Sequence, residues 1–212
     1  GLSTVIKMSG GSGESRNEEG WLKIEPDGQI TALTGISPHG QGSATAFAQI
    51  IADQLGVTPG DVKVLHGDTA LVPSGGGTGA TRATVVGGSA LYLVAEEARH
   101  KLVSIAAHML GCAEADVVLE EREAFSRQDR EKTVAFSELA AAAYQEEKLP
   151  PGVTPGLDFS GSFTLGQPYQ SPHSFSTHVV AVQVSRENGV IEILNYTAIH
   201  DCGRILNPML VE

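Results

Sequence analysis

The chain has few cysteines and no long apolar segment. It contains two cysteines and one tryptophan among 212 residues. Cys112 and Cys202 form no Cys-x-x-Cys pair, so the sequence predicts neither a disulfide scaffold nor an iron–sulfur site, and favours the reducing cytoplasm. No apolar run approaches the roughly 20 residues of a membrane span, and the first residues lack the pattern of a signal peptide.

Positive charge is also scarce. Lysine and arginine together number 14 against 25 acidic residues, which gives a net charge of -11. A surface of this sign repels phosphate backbones and anionic lipids, so we expect neither nucleic acid nor a membrane as a partner. Apolar residues make up 41% of the chain, enough for a folded core.

Glycine, by contrast, is abundant, with 25 residues concentrated in loops that lead into predicted helices. The first loop contains Gly40-Gln41-Gly42, and the second contains GGGTG at residues 75–79. Residues 28–52 carry no charged side chain if the histidine is neutral, and residues 69–95 carry only Arg82. A helix start exposes unpaired N–H groups, and glycine lets an anion approach them. Two such loops indicate a large anionic ligand, although turn geometry alone is an alternative explanation of each.

Apolar periodicity predicts an α+β architecture, with mixed β-sheets packed against helices. Strands are predicted at 21–26, 29–36, 61–66, 117–120, 157–165, 178–184 and 190–199, and helices at 43–55, 82–110 and 137–144, the last capped by Ser137. We expect residues 120–132 to form a charged surface segment, and Gly87-Gly88 to mark the approach of another backbone or a ligand. The proline-rich segment 150–156 is typical of a linker. It divides a lobe at 1–150, which contains both glycine-rich loops, from a β-rich segment at 151–212 packed into the same unit.

Several common sites are disfavoured by spacing. No Gly-Lys-Ser/Thr follows the glycines, and no strand-linked Gly-x-Gly-x-x-Gly is present, so common nucleotide-binding motifs are not predicted. The histidines form no His-Glu-x-x-His set, which argues against a zinc site. Asp201 and Asn207 are expected to fix a turn through hydrogen bonds from side chain to backbone, and Cys202 is expected to be a small buried residue.

Three motifs follow one another along the chain. The first is TGISPHGQG at 34–42, followed by FAQI at 47–50 and HGDT at 66–69. The second is GTGATRAT at 77–84 with GSA at 88–90, and the third is DCGRILNP at 201–208. In this order they resemble the molybdopterin-binding large subunit of the xanthine dehydrogenase, aldehyde oxidase and aerobic carbon monoxide dehydrogenase family. The resemblance extends from about residue 22 to the end of the chain.

The resemblance implies a cofactor and its contacts. The family binds molybdenum through a pterin dithiolene, often extended by a cytosine nucleotide, and its molybdenum takes no protein ligand. Gly40 and Gly42 match positions where the backbone approaches the dithiolene, and Gln41 matches an amide donor beside the metal. The match to the pterin and phosphate contacts covers Gly79, Ala80, Thr81, Arg82, Ala83 and Thr84. An ion pair with a nearby carboxylate is the alternative role of the arginine.

The resemblance also implies an activity that this chain does not complete. The family hydroxylates a C–H bond of an aldehyde or nitrogen heterocycle with oxygen from water, and passes electrons to iron–sulfur clusters and usually a flavin on other subunits or domains. Its general base is a glutamate in a Gly-Glu motif beyond the third motif, and this chain stops at Glu212. We therefore expect a fragment that is inactive alone and has no catalytic residue of its own. Its expected partners are the remainder of its subunit, iron–sulfur and flavin subunits, and a small organic substrate.

Two alternatives stay open from the sequence alone. One is a binding module that kept the fold and lost catalysis. The other is a serine-type hydrolase that would use Ser174 or Ser176 with His200 and Asp201, although no Gly-x-Ser-x-Gly elbow is present.

Overall fold

The computed structural model describes residues 1–11, 13–166 and 171–211. Within these ranges the strands are β1 Leu2–Met8, β2 Asn17–Ile24, β3 Ile30–Thr34, β4 Val62–Leu65, β5 Val117–Glu120, β6 Glu123–Ser126, β7 Asp129–Ala135, β8 Asp158–Thr164, β9 His173–Val184 and β10 Ile191–Asp201. The α-helices are α1 Ser43–Leu55, α2 Ser89–Leu110 and α3 Phe136–Ala142. The predicted α+β class, with mixed sheets against helices, is confirmed.

A central sheet in the order β4-β3-β2-β8 carries α1 and α2 on one face. β2 is antiparallel to both β3 and β8, and β3 is parallel to β4. Side chains alternate along β2, so that Leu22 and Ile24 are buried while Lys23 is exposed. The predicted hairpin is confirmed, although its first strand begins at Asn17 rather than Trp21.

The two long helices pack on this sheet and on each other. α1 has the predicted bounds, because its apolar residues recur at helical spacing and Gly56 ends it in a left-handed conformation. Before α2, residues 83–88 form a π-helical turn. The prediction that another backbone or a ligand approaches Gly87-Gly88 is wrong, because side chains approach there instead. Added Cβ atoms there would meet the side chains of Ile36 and Ile50, which shows close packing of α2 against α1 and its preceding loop.

A small antiparallel sheet, β5-β6-β7, packs with α3 against the end of α2. It corrects the expectation of a surface segment at 120–132, because β6 buries Ala124 and Phe125. Ser137 does not cap α3, which begins one residue earlier. The Glu138 carboxylate accepts a hydrogen bond from the Ala135 N–H at 3.4 Å instead.

A third sheet, β1-β9-β10, has β9 at its centre. β1 is not among the predicted strands, and its short apolar alternation lies within the first eight residues. Many apolar side chains of this sheet are exposed, among them Leu2, Ile193 and Ile199. β8 joins the central sheet and β1 joins the third, so strands pair across residue 150 in both directions; the division there stays a prediction. Among the described helices, none has the length and hydropathy to span a bilayer.

Candidate functional site

The two glycine-rich loops lie against each other. The Thr78 hydroxyl donates a hydrogen bond of 2.6 Å to the Ser37 carbonyl, which joins the second loop to the first. A Cβ added to Gly35 would overlap the Cα of Gly75, so the two backbones touch where any side chain would separate them. A cavity of about 480 Å³ at this junction is lined by Gly35, Ser37, residues 67–69, residues 72–75 and Gly77. The tertiary structure thus brings together two uncharged loops that are far apart in sequence.

The first loop leads into the N-terminus of α1, which has no side-chain cap in the described part of the chain. Gly40 and Gly42 have φ angles of 110° and 71°, which L side chains rarely adopt. No side chain of the described residues caps the N-terminus of α1, and a Cβ at Gly40 would meet none of their atoms within 4 Å. The hydroxyl of Ser43 is buried and has no hydrogen-bond partner within the described residues. Unpaired donors at a helix start are suited to an anion, and a buried orphan hydroxyl is suited to a polar ligand.

Gln41 is exposed between these two glycines. Its Oε1 accepts a hydrogen bond of 2.7 Å from the His39 N–H, which fixes the orientation of the amide. The Nε2 donor then has no partner among residues that the structure describes, so it is available to a ligand acceptor. This geometry is consistent with the predicted role of Gln41 as a neutral donor.

The second loop enters the π-helical turn through a strained backbone. Ala80 and Thr81 have φ angles of 44° and 56°, a left-handed conformation that is uncommon for residues other than glycine. Their carbonyls accept hydrogen bonds from the N–H groups of Gly11 and Gly10, which hold this conformation. A Cβ at Gly79 would meet no atom within 4 Å in the part of the chain that the structure describes, so this face of the loop is open there. Such strain often marks binding sites.

Arg82 points inward rather than toward a ligand. Its Nη1 lies 2.6 Å from Glu18 Oε2, and the two side chains are 1% and 0% exposed. Nε donates to the Ser15 carbonyl and Nη2 to the Asn17 carbonyl. The ion pair, which the sequence left as an alternative, is therefore present, and Glu18 neutralises the charge of Arg82. The remaining predicted contacts are the exposed Thr84 and the half-buried Ala83, which lie in the π-helical turn.

The third motif lies beside the first. The Asn207 Oδ1 accepts a hydrogen bond from the Leu210 N–H, and its Nδ2 donates to Gln49 Oε1 of α1 at 2.9 Å. The Asp201 Oδ1 accepts from the Gly203 N–H, so both predicted turn roles are confirmed. A Cβ on Gly42 would lie 2.7 Å from the Leu210 side chain, which places this segment against the first loop.

The alternative chemistries find no support in the described residues. His178 bonds the Tyr196 hydroxyl at 2.7 Å, and no hydrogen bond joins His200 to a serine in residues 171–211. No group of three metal-ligating side chains occurs in the part of the chain that the structure describes. Cys202 is exposed, so the expectation of burial is wrong.

Glu18 is the residue that the sequence analysis missed. It lies four residues before Leu22 on the buried face of β2, but the predicted strand began at Trp21 and left it outside. A strand continued back to residue 17 would have shown a carboxylate at a core position, and such a group needs a buried partner.

Comparison with known proteins identifies the family of the chain. A family model described as a molybdopterin cofactor-binding domain matches residues 1–212. The nicotine 6-hydroxylase large subunit of Paenarthrobacter nicotinovorans is 32% identical over 100% of this chain and 26% of its own length. The carbon monoxide dehydrogenase large chain of Hydrogenophaga pseudoflava is 34% identical over 90% of this chain and 23% of its own length. The chain thus spans about a quarter of the curated relatives that it matches.

Solved structures of enzymes similar to this chain share its fold. Quinoline 2-oxidoreductase from Pseudomonas putida 86 superposes with a TM-score of 0.88 at 27% identity, covering 100% of this chain and 28% of the other. A copper- and molybdenum-containing carbon monoxide dehydrogenase superposes with a TM-score of 0.87 at 29% identity, covering 100% of this chain and 27% of the other. The chain therefore belongs to the molybdopterin cofactor-binding domain family, and it matches part of the large subunits of these relatives.

Proposed function

We propose that the two joined glycine-rich loops form part of the cradle of a molybdenum–molybdopterin cofactor. The observation that carries this proposal is the contact between the two loops, which joins the loop before the uncapped start of α1 to the loop that contains the open and strained segment 79–81. Because the charge of Arg82 is balanced by Glu18, the cradle offers backbone and amide donors rather than net charge. The orphan hydroxyl of Ser43 and the free Nε2 of Gln41 fit a polar, anionic group of this kind.

Different residues of the chain contact different parts of the cofactor. Gly40 and Gly42 let the main chain approach the dithiolene, while the Gln41 amide donates beside the metal without adding charge. Gly79, Ala80, Thr81, Ala83 and Thr84 provide N–H groups and hydroxyls toward the pterin and phosphate side; for Arg82 we assign only its backbone to this contact. When bound, the cofactor supplies the redox chemistry, and this chain binds and orients it.

The complete protein is proposed to be an oxidoreductase that hydroxylates an aldehyde, heterocycle or similar small molecule with oxygen from water. Its relatives include large subunits of carbon monoxide dehydrogenase and nicotine 6-hydroxylase, which supports a multi-subunit enzyme. We place iron–sulfur clusters and a flavin on its partner subunits or domains, a cytosine dinucleotide form of the pterin in the cradle, and the protein in the cytoplasm. The catalytic base lies outside this chain, so the chain alone is inactive.

Cofactor analysis of the full-length protein tests the proposal. We expect stoichiometric molybdenum by mass spectrometry of the metal, a pterin that becomes fluorescent on oxidation, and cytidine monophosphate after mild acid hydrolysis. A folded, active preparation without molybdenum or pterin would refute the proposal. Pterin without cytidine monophosphate would refute only the dinucleotide form.

A pair of glycine substitutions locates the cradle. Gly79→Val adds a side chain whose Cβ meets no atom of residues 1–11, 13–166 and 171–211 within 4 Å, so it should leave the fold intact and obstruct the cofactor. Gly60→Val is the control, because, of those same residues, a Cβ at Gly60 meets only the Thr58 hydroxyl, at an ordinary contact distance of 3.7 Å, and Gly60 lies at the other end of β4 from the loops. We expect reduced molybdenum content only for Gly79→Val. Equal content in the two variants would remove residue 79 from the site.

A further inference from the structure

A buried ion pair connects the second glycine-rich loop to the central sheet. Glu18 is on β2, Arg82 stands where the loop ends, and the two side chains are 0% and 1% exposed. Arg82 also donates to three carbonyls, those of Ser15, Asn17 and Gly77, so nearly all of its five N–H donors are used. The pair is therefore satisfied and held in one geometry.

The same carboxylate reaches the middle of the loop. Glu18 Oε2 accepts a hydrogen bond of 3.2 Å from the Gly76 N–H, in addition to its bond with Arg82. Arg82 also donates to the Gly77 carbonyl, so Gly76, Gly77 and Arg82 are all connected to Glu18 on β2, directly or through Arg82. The adjacent Glu19 accepts from the Ser74 hydroxyl, and Thr78 contacts Ser37 of the first loop. Residues 66–82 form no helix or strand, so these contacts, together with the hydrogen bonds from the Gly10 and Gly11 N–H groups to the carbonyls of Thr81 and Ala80, hold the loop in place.

Stability alone does not account for such a pair. A buried ion pair gives little net stability compared with apolar residues of the same volume, whereas it specifies one arrangement strongly, because an unpaired partner would be a buried charge. The arrangement that this pair specifies ends at Ala80 and Thr81, the two strained residues that precede Arg82. A strained segment persists only where its surroundings determine it.

We propose that Glu18 is a positioning residue for the cofactor. Through Arg82 and the Gly76 N–H it fixes the 74–82 loop, and so presents the open face of residues 79–81 in the geometry that binds the cofactor. Glu18 touches no cofactor itself. This inference rests on the proposed function. It adds that Glu18 fixes the conformation of the loop in the absence of the cofactor.

The test compares two variants of the full-length protein that lose similar thermal stability. Glu18→Gln keeps the shape of the side chain but removes the charge that balances Arg82. Leu102→Ala is the control, because Leu102 is fully buried in α2 and belongs to the apolar core rather than the loop. Both are assayed for the rate of molybdenum and pterin release, for the Mo(V) electron paramagnetic resonance spectrum of the retained cofactor, and, without cofactor, for hydrogen exchange at the Gly76 amide.

We expect Glu18→Gln to release the cofactor about tenfold faster than the unaltered protein, as is typical when a residue that orients a binding group is lost. Its Gly76 amide should exchange faster, and its Mo(V) spectrum should broaden. Leu102→Ala should match the unaltered protein in all three measurements. Release at the unaltered rate from Glu18→Gln, or equally fast release from Leu102→Ala, would overturn the proposal.

A second variant covers the case in which Glu18→Gln does not accumulate. Thr78→Val removes the bond between the two loops without exposing a buried charge, and it should also accelerate cofactor release. If Thr78→Val then releases cofactor at the unaltered rate, the proposal fails. An unaltered protein that contains no molybdenum or pterin refutes the proposed function, and this inference with it. By contrast, normal loading of every variant refutes only the inference.

Discussion

Alanine at Gly75 should force the two glycine-rich loops apart. Gly35 and Gly75 face each other, and a Cβ built on either one would overlap the Cα of the other. Neither glycine has a φ angle in the left-handed region, so alanine meets no backbone penalty and only the contact is tested. Carbon atoms normally stay about 3.5–4.0 Å apart, so the loops must separate by about 1 Å or more.

The magnitude follows from two opposing effects. Overpacking of a close contact costs about 1–3 kcal/mol. Replacing glycine by alanine recovers about 0.4–1 kcal/mol, because the unfolded chain becomes less flexible. The contact dominates, and a net cost of one or two kcal/mol corresponds to local opening that is about 5- to 30-fold more frequent.

Hydrogen exchange resolved to single amides measures this effect. The Gly76 N–H bonds Glu18 and the Arg82 N–H bonds the Gly79 carbonyl, so both amides report on opening of the loop. We expect both to exchange faster in Gly75→Ala. Gly79→Ala is the control in the same loop, since its Cβ meets no atom of the described chain within 4 Å. Equal exchange in the two variants would refute the direct contact between the loops.

Two further predictions concern other parts of the molecule. Gln41→Ala removes an exposed donor and no core volume, so thermal stability should be unchanged while turnover of the full-length enzyme falls; an unchanged rate would contradict the role of this amide. Burial works to raise the pKa of Asp61, but hydrogen bonds from Thr58 and the charge of Arg122 outweigh it and hold this pKa below its ordinary value of 3.8. The carboxylate therefore stabilises the fold above about pH 4, and this contribution is lost as the pH falls through the lowered pKa. Thermal unfolding between about pH 5 and pH 3 should accordingly depend less on pH in Asp61→Asn than in the unaltered protein, and parallel curves would contradict this.

Short-range patterns were sufficient to predict most of the secondary structure. α1 begins and ends where apolar spacing and Gly56 indicated, because both signals act within a few residues along the chain. The hairpin of β2 and β3 followed from Asp27-Gly28 for the same reason. Errors arose where tertiary contacts outweighed local preference, as in the hairpin of β6 and β7, whose charged sequence nevertheless buries Phe125.

The sequence by itself determined the family, through three motifs, and the two uncharged, glycine-rich loops that a large anion would need. Only the tertiary structure decided that these loops meet and that Arg82 turns inward to Glu18. Thr78 contacts Ser37 across 41 positions, and Arg82 contacts Glu18 across 64. Contacts between such distant residues depend on how the loops pack beside β2, and hydrophobic periodicity carries no information about which buried charge will pair with which. The pairing is set by the cost of leaving either charge alone in the interior.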